Sequence, residues 1–298
     1  MIQASLAVAL ASSLLMAATT NIPTNVPPPA DFFNQSWQQV SKTTLYKVDC
    51  TTVPGSVTMS NGLTVEQQRN AALLTSAVSR LAIKETDIVM AKDKKASAAR
   101  EKSPSLLPYL SYINNELTYE QAQSYTEQTP KFSVQFVVNT QGLYYHAKST
   151  DPWKLMKSKD MANQVLKSLS SGAISSIVDK TSINFDSWKP SGKTALAVYK
   201  GKLTPDGVNS VITDTVGKGF IGGSDQNEAR IYIDKATKNW TKIEIVVTVD
   251  TGSVAFPLIR TCQVAYGKDV KIAIPAKAKS IDAKIGAEEF IDLIGKVQ

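Results

Sequence analysis

Histidine is almost absent. His146 is the one copy in 298 residues. Cys50 and Cys262 are the only cysteines, so a Cys/His metal site lacks a ligand set. A serine-hydrolase triad would depend on His146 as its base. His146 sits in LYYHAK, an alternating strand pattern, where an imidazole is ordinarily hydrogen-bonded or solvent-facing. No G-x-S-x-G elbow occurs. Gly217, Gly219 and Gly222 have dinucleotide spacing. They follow a helical pattern and precede a polar loop, whereas the fingerprint opens a helix after a strand. We read them as a loop whose glycines suit a mobile rim. Asp186, Asp234 and Asp250 all adjoin turns, where Asp is favoured for local hydrogen bonds. These absences predict a non-enzyme with no cofactor and no metal. A hydrolase is kept as a minor reading.

Charge is absent before Asp31. The N-terminus is instead apolar from Ala4 to Ala18, too short to span a bilayer and suited to the h-region of a signal peptide. It lacks a preceding Lys or Arg, and its A-x-A cleavage pattern is poor. A buried N-terminal helix is the competing reading. No cysteine sits just after the run, so no lipid anchor is expected there. Residues 1–30 are therefore read as signal peptide and Pro-rich linker, and residues 31–298 as one domain. The chain is expected to be exported, to the bacterial cell envelope or outside the cell. Lys and Arg exceed Asp and Glu by 33 to 26, a formal charge of +7. That permits contact with a membrane surface or anionic wall polymer. The basic residues are scattered among acids without a nucleic-acid motif, so nucleic acid is not expected as a partner.

Two cysteines in an exported chain suggest a disulfide, Cys50 to Cys262. Two buried small hydrophobes are the equal alternative.

The hydrophobic period divides the rest. Asp31 is placed to cap a helix over residues 31–40. Residues 44–59 are strand-like, broken at Pro54-Gly55. Thr64 caps a helix to Leu81 whose apolar face holds Leu73, Leu74, Ala77 and Val78. The run Lys92–Lys102 reads as a solvated helix face or loop, and Thr118 caps a helix over 119–128. Residues 131–139 and 143–148 form the clearest hairpin. Residues 228–234 and 240–250 form a second. Residues 158–178 read as a helix, 194–203 as a strand, and a helix follows Thr204-Pro205. Strands are expected over 256–266 and 270–274, and a short helix over 288–294. Successive hairpins with few crossovers imply a meandering antiparallel sheet.

Tyr144, Tyr145, Trp153, Trp188, Tyr199, Tyr232 and Trp240 fall in the strand-rich region. Most are read as core. The functional reading is an apolar groove on the concave sheet face, with Phe136, Tyr144, Tyr145 and Trp153 as candidate cavity residues.

Three segments add a resemblance. Leu143-Tyr144-Tyr145 with Trp153-Lys154, the stretch Ile231 to Lys242, and the ending Val270 to Ala278 are similar to motifs of exported bacterial proteins with the LolA/LppX-like fold, in family order. The resemblance implies an α+β fold, a curved antiparallel half-barrel sheet wrapped over helices, whose cavity holds lipid or acyl chains. Many relatives are lipoproteins. This chain departs by lacking a lipobox cysteine and by an expected helical insertion at about 60–128. The resulting expectation is an exported, non-catalytic protein holding lipid or another apolar ligand. The alternative is a cell-surface module that binds an anionic wall polymer or a partner protein.

Overall fold

The computed structural model describes residues 26–103, 106–128, 131–171, 178–192, 194–205, 207–208, 211, 227–267 and 270–297. The apolar segment Ala4–Ala18 and the glycine-rich stretch Gly217–Gly223 lie outside them, as does most of the helix expected after Thr204-Pro205.

Two local meanders make the sheet. The first contains β3 (Ile83–Met90), β4 (Lys95–Lys102), β5 (Phe132–Asn139), β6 (Gly142–His146) and β7 (Lys154–Met156). The second contains β8 (Asn184–Ser191), β9 (Thr194–Lys202), β10 (Glu228–Asp234), β11 (Trp240–Asp250) and β12 (Val254–Tyr266). β1 (Leu45–Pro54) joins them: it pairs with β3 on one side and β12 on the other. The order across the sheet is β13-β7-β6-β5-β4-β3-β1-β12-β11-β10-β9-β8, with β2 (Thr58–Met59) pairing off this path with β12. β13 (Lys279–Ile281) lies parallel to β7, and the other pairings of the described strands are antiparallel. The sheet is open, curved and mixed, within an α+β architecture.

Helices cover one face. They are α1 (Phe32–Ser41), α2 (Val65–Ser79), α3 (Leu107–Ile113), α4 (Tyr119–Gln128), α5 (Lys159–Ser171) and α6 (Ala283–Val297). Strand alternation puts Val48, Cys50, Tyr199, Ile231, Ile243 and Cys262 on that face, packed with Phe32, Phe33, Leu74 and Val78 of α1 and α2. A second core lies on the same face over the first meander, where Val134, Phe136, Tyr145 and Met156 meet Ala162 of α5 and Phe290 of α6. Each fully buried large apolar side chain contributes about 1.5–3 kcal/mol.

Local chemistry explains the boundaries. Thr64 and Gln67 form a reciprocal capping box at α2, with N–H···O distances of 2.9 and 3.2 Å. Thr118 and Gln121 repeat it at α4. Asp31 departs from expectation: it makes no capping bond at α1, and its carboxylate accepts a hydrogen bond from the Gln35 side chain instead. In the β5–β6 turn, Asn139 Oδ1 accepts from the Gln141 and Gly142 amides at 2.8 and 3.3 Å. Gly142 is needed there, because a Cβ would stand 2.3 Å from the Met156 carbonyl oxygen of β7.

Three expectations are corrected. Segment 60–128 holds α2, α3 and α4, but between α2 and α3 it also holds the β3–β4 hairpin. The charged run Lys92–Lys102 is therefore a turn and a sheet strand. Its small residues Ala96 and Ala98 alternate inward, at 0% and 4% exposure, and the charges around them masked that period. Residues 270–274 form no strand. β12 already has β1 and β11 on its two sides, so the chain leaves the sheet before pairing again as β13. β8 was not anticipated, because its polar residues and Pro190 carry no clear strand signal. Proline is tolerated in it because β8 is an edge strand.

Cys50 and Cys262 stand opposite each other in the β1–β12 register and are joined as a disulfide, S–S 2.09 Å, across a separation of 212 residues. Replacing both with serine is expected to lower unfolding stability by about 2–4 kcal/mol. Urea midpoints with and without reductant check this: the wild type should shift on reduction and the double variant should not.

Candidate functional site

The two apolar cores do not merge. Where they approach each other, on β1, β3, β4 and β12, the register brings charge to the helix-covered face. Cys50 pairs with Glu85 on β3. Glu85 pairs with Arg100 on β4. Arg260 on β12 pairs with Thr52 of β1. Alternation then sets Glu85, Asp87, Arg100 and Arg260 on the same face as the disulfide.

These four form one network. Arg100 Nε lies 3.1 Å from Glu85 Oε1, and its Nη1 lies 2.8 Å from Asp87 Oδ1. Arg100 Nη2 donates to Asp87 Oδ2 at 3.0 Å, and its Nη1 also donates to the carbonyl oxygen of Ala99 at 3.2 Å. Arg260 Nη2 pairs with Glu85 Oε2. Glu85 therefore bridges two guanidinium groups. The side chains keep 12% (Glu85), 31% (Asp87), 18% (Arg100) and 16% (Arg260) of their exposure. Water therefore reaches the seam, which lowers the desolvation penalty that a dry buried network would carry.

Tyrosines close one end of this seam. Tyr46 stands opposite Tyr266 in the β1–β12 register and packs against both cores. Its hydroxyl donates to the Leu169 carbonyl of α5 at 3.4 Å. Burial, and after it the Asp87 carboxylate, push the Tyr46 phenol up; burial pushes Tyr266 up as well. Both phenols are held in the neutral form.

Alternation along β6 divides the four aromatic residues singled out from the sequence. Phe136 and Tyr145 are register partners on the helix-covered face. Both rings pack on Phe290 of α6, with centroids 5.2 and 5.4 Å away. The Tyr145 hydroxyl donates to Glu289 Oε2 at 3.0 Å, and Lys154 pairs with the same carboxylate. Burial, then the Glu289 hydrogen bond and charge, push the Tyr145 phenol far up. Tyr144 points to the other face and donates to Gln141 Oε1 at 3.0 Å. Trp153 stacks on His146 at 4.1 Å. His146 Nε2 is 3.0 Å from Gln135 Oε1, and the ring is buried. This leaves His146 on a strand with a structural partner and no nucleophile beside it in the described contacts.

Sequence reasoning missed the charged seam. Arg100 was hidden in a run of surface-like charges. Arg260 carried a signal that went unused: it stands at an inward position between Leu258 and Cys262, where an unpaired charge would be costly.

No protein-family model matches the chain, and no curated protein matches it. Among solved structures, the crystal structure of LprF from Mycobacterium bovis is similar with a TM-score of 0.44 and 13% identity, over 85% of this chain and 99% of that one. A likeness at that score is weak, and the architecture above stands on strand pairing alone.

Arg100 pairs with two carboxylates, Glu85 and Asp87. Arg100→Met is expected to cost about 3 kcal/mol, the lower end for breaking a buried pair, because the seam is partly wet. Urea midpoints of the variant and the parent check this.

Proposed function

We propose that this protein is a non-catalytic binding protein of the cell envelope that holds a lipid or another apolar ligand on the concave face of its sheet. The observation that supports it is the division of that face into two apolar cores with a partly wet, charged seam between them. The apolar side chains Met161, Val165 and Leu169 of α5 pack on the second core and are only partly buried, and the Leu169 carbonyl meets Tyr46 at the end of the seam. An amphiphile fits such a surface, with its polar end at the arginines and carboxylates and its chain against α5. Phe136 and Tyr145 belong to the wall behind α5 and α6 in this reading. Burial of acyl surface supplies the affinity, about 0.8 kcal/mol per CH₂.

Export is part of the same proposal and rests on the apolar segment Ala4–Ala18. No helix among the described residues is long and apolar enough to cross a membrane.

The test is chemical. Protein purified without detergent is extracted with chloroform and methanol, and the extract is analysed by mass spectrometry. A single amphiphile class at near-stoichiometric amount is expected, and Val165→Asp should reduce it. An extract free of amphiphile, from a protein that also takes up no fluorescent fatty-acid probe, would sink the reading.

A further inference from the structure

From Val270 to α6 the chain runs as a largely exposed ribbon. Its ends are pinned. Val270 is 5% exposed, and Ile281 packs against the second core. The Lys279 amide donates to the Trp153 carbonyl at 2.8 Å, which seats β13 beside β7. Between these anchors most side chains face solvent.

What they present is uneven in charge. Lys271, Lys277, Lys279 and Lys284 are exposed. Lys157 and Lys159, also exposed, adjoin them, because Met156 stands in register with Ile281 and Lys157 follows it. None of these six forms an ion pair among the described residues. The acids nearby in sequence are Asp160, Asp269, Asp282, Glu288 and Glu289, and Glu289 is paired with Lys154. Asp282 is committed to the helix start: its Oδ1 accepts from the Lys284 and Ile285 amides at 2.9 and 3.2 Å. Two large apolar side chains stand among the lysines, Ile274 at 39% exposure and Ile285 at 63%.

Lysines alone would suit any polyanion. Exposed isoleucines gain nothing from a hydrophilic polymer, but they gain from entering the boundary between headgroups and acyl chains. Lysines around them are drawn to the negative potential of anionic lipid. We propose that this β7–β13 edge, from Lys271 to Ile285 with Lys157 and Lys159, docks on the surface of an anionic lipid bilayer. The inference stands apart from the ligand on the concave face. It concerns the opposite margin of the structure from edge strand β8.

Vesicle sedimentation tests it with the full chain. Binding is expected to mixed phosphatidylglycerol and phosphatidylcholine vesicles and not to pure phosphatidylcholine, and salt should weaken it. The triple variant Lys277→Gln, Lys279→Gln, Lys284→Gln should bind about a hundredfold more weakly, at about fivefold for each lysine, which corresponds to about 1 kcal/mol. Ile274→Ser with Ile285→Ser should weaken binding at unchanged charge. A control triple at exposed lysines elsewhere, Lys84→Gln, Lys92→Gln, Lys202→Gln, should change it little. No binding to the anionic vesicles overturns the proposal. So does an equal loss in the two triple variants, or an isoleucine variant that binds as the parent does. Retention on dextran sulfate without vesicle binding also overturns it, in favour of a polyanion site. Lipid recovered by extraction from each variant keeps a failure here separate from a failure of the ligand reading.

Discussion

The pairing of β1 with β12 is the constraint on which the rest of the structure depends. Each meander is local: its strands follow one another in sequence, and β4 reaches β5 through α3 and α4. Neither meander reaches the other without the central pair. β1 and β12 pair over nine registered positions, from Tyr46 with Tyr266 to Pro54 with Leu258. That contact closes a loop of most of the chain, so its entropy is lost before its contacts form. The disulfide across Cys50 and Cys262 removes much of that loss from the unfolded ensemble.

Joining two halves at the centre also explains the charged seam. Helices α1 and α2 cover the second meander, while α5 and α6 cover the first. Their apolar faces do not extend fully over the central strands. Charges placed there keep some water, and their pairing stops the exposed backbone face from being an open apolar patch. Glu85 holds both arginines, which links β3, β4 and β12 through side chains as well as backbone. The seam therefore belongs to the same structural logic as the disulfide one register position away.

Much of the local structure was legible. The β5–β6 and β10–β11 hairpins follow from period-2 alternation with Asn139 and Asp234 at the turns, and those side chains accept the turn amides. The caps at Thr64 and Thr118 follow from residues three apart. The β3–β4 hairpin was not legible, because β4 buries alanines between charged neighbours and reads as helix former or loop. The strand expected at 270–274 failed for a reason no local window contains: β12 has no free edge for it.

Composition and pattern by themselves determined helices, antiparallel hairpins and a single pair of cysteines. They did so because period, turn chemistry and residue counts are local quantities. Only the tertiary structure decided that Glu85, Asp87, Arg100 and Arg260 meet, that Tyr144 and Tyr145 serve opposite faces of the sheet, and that Ile274 and Ile285 are left outside among lysines. Those outcomes depend on which strands are neighbours and in what register, and register between strands more than 100 residues apart is set by the packing of the whole sheet.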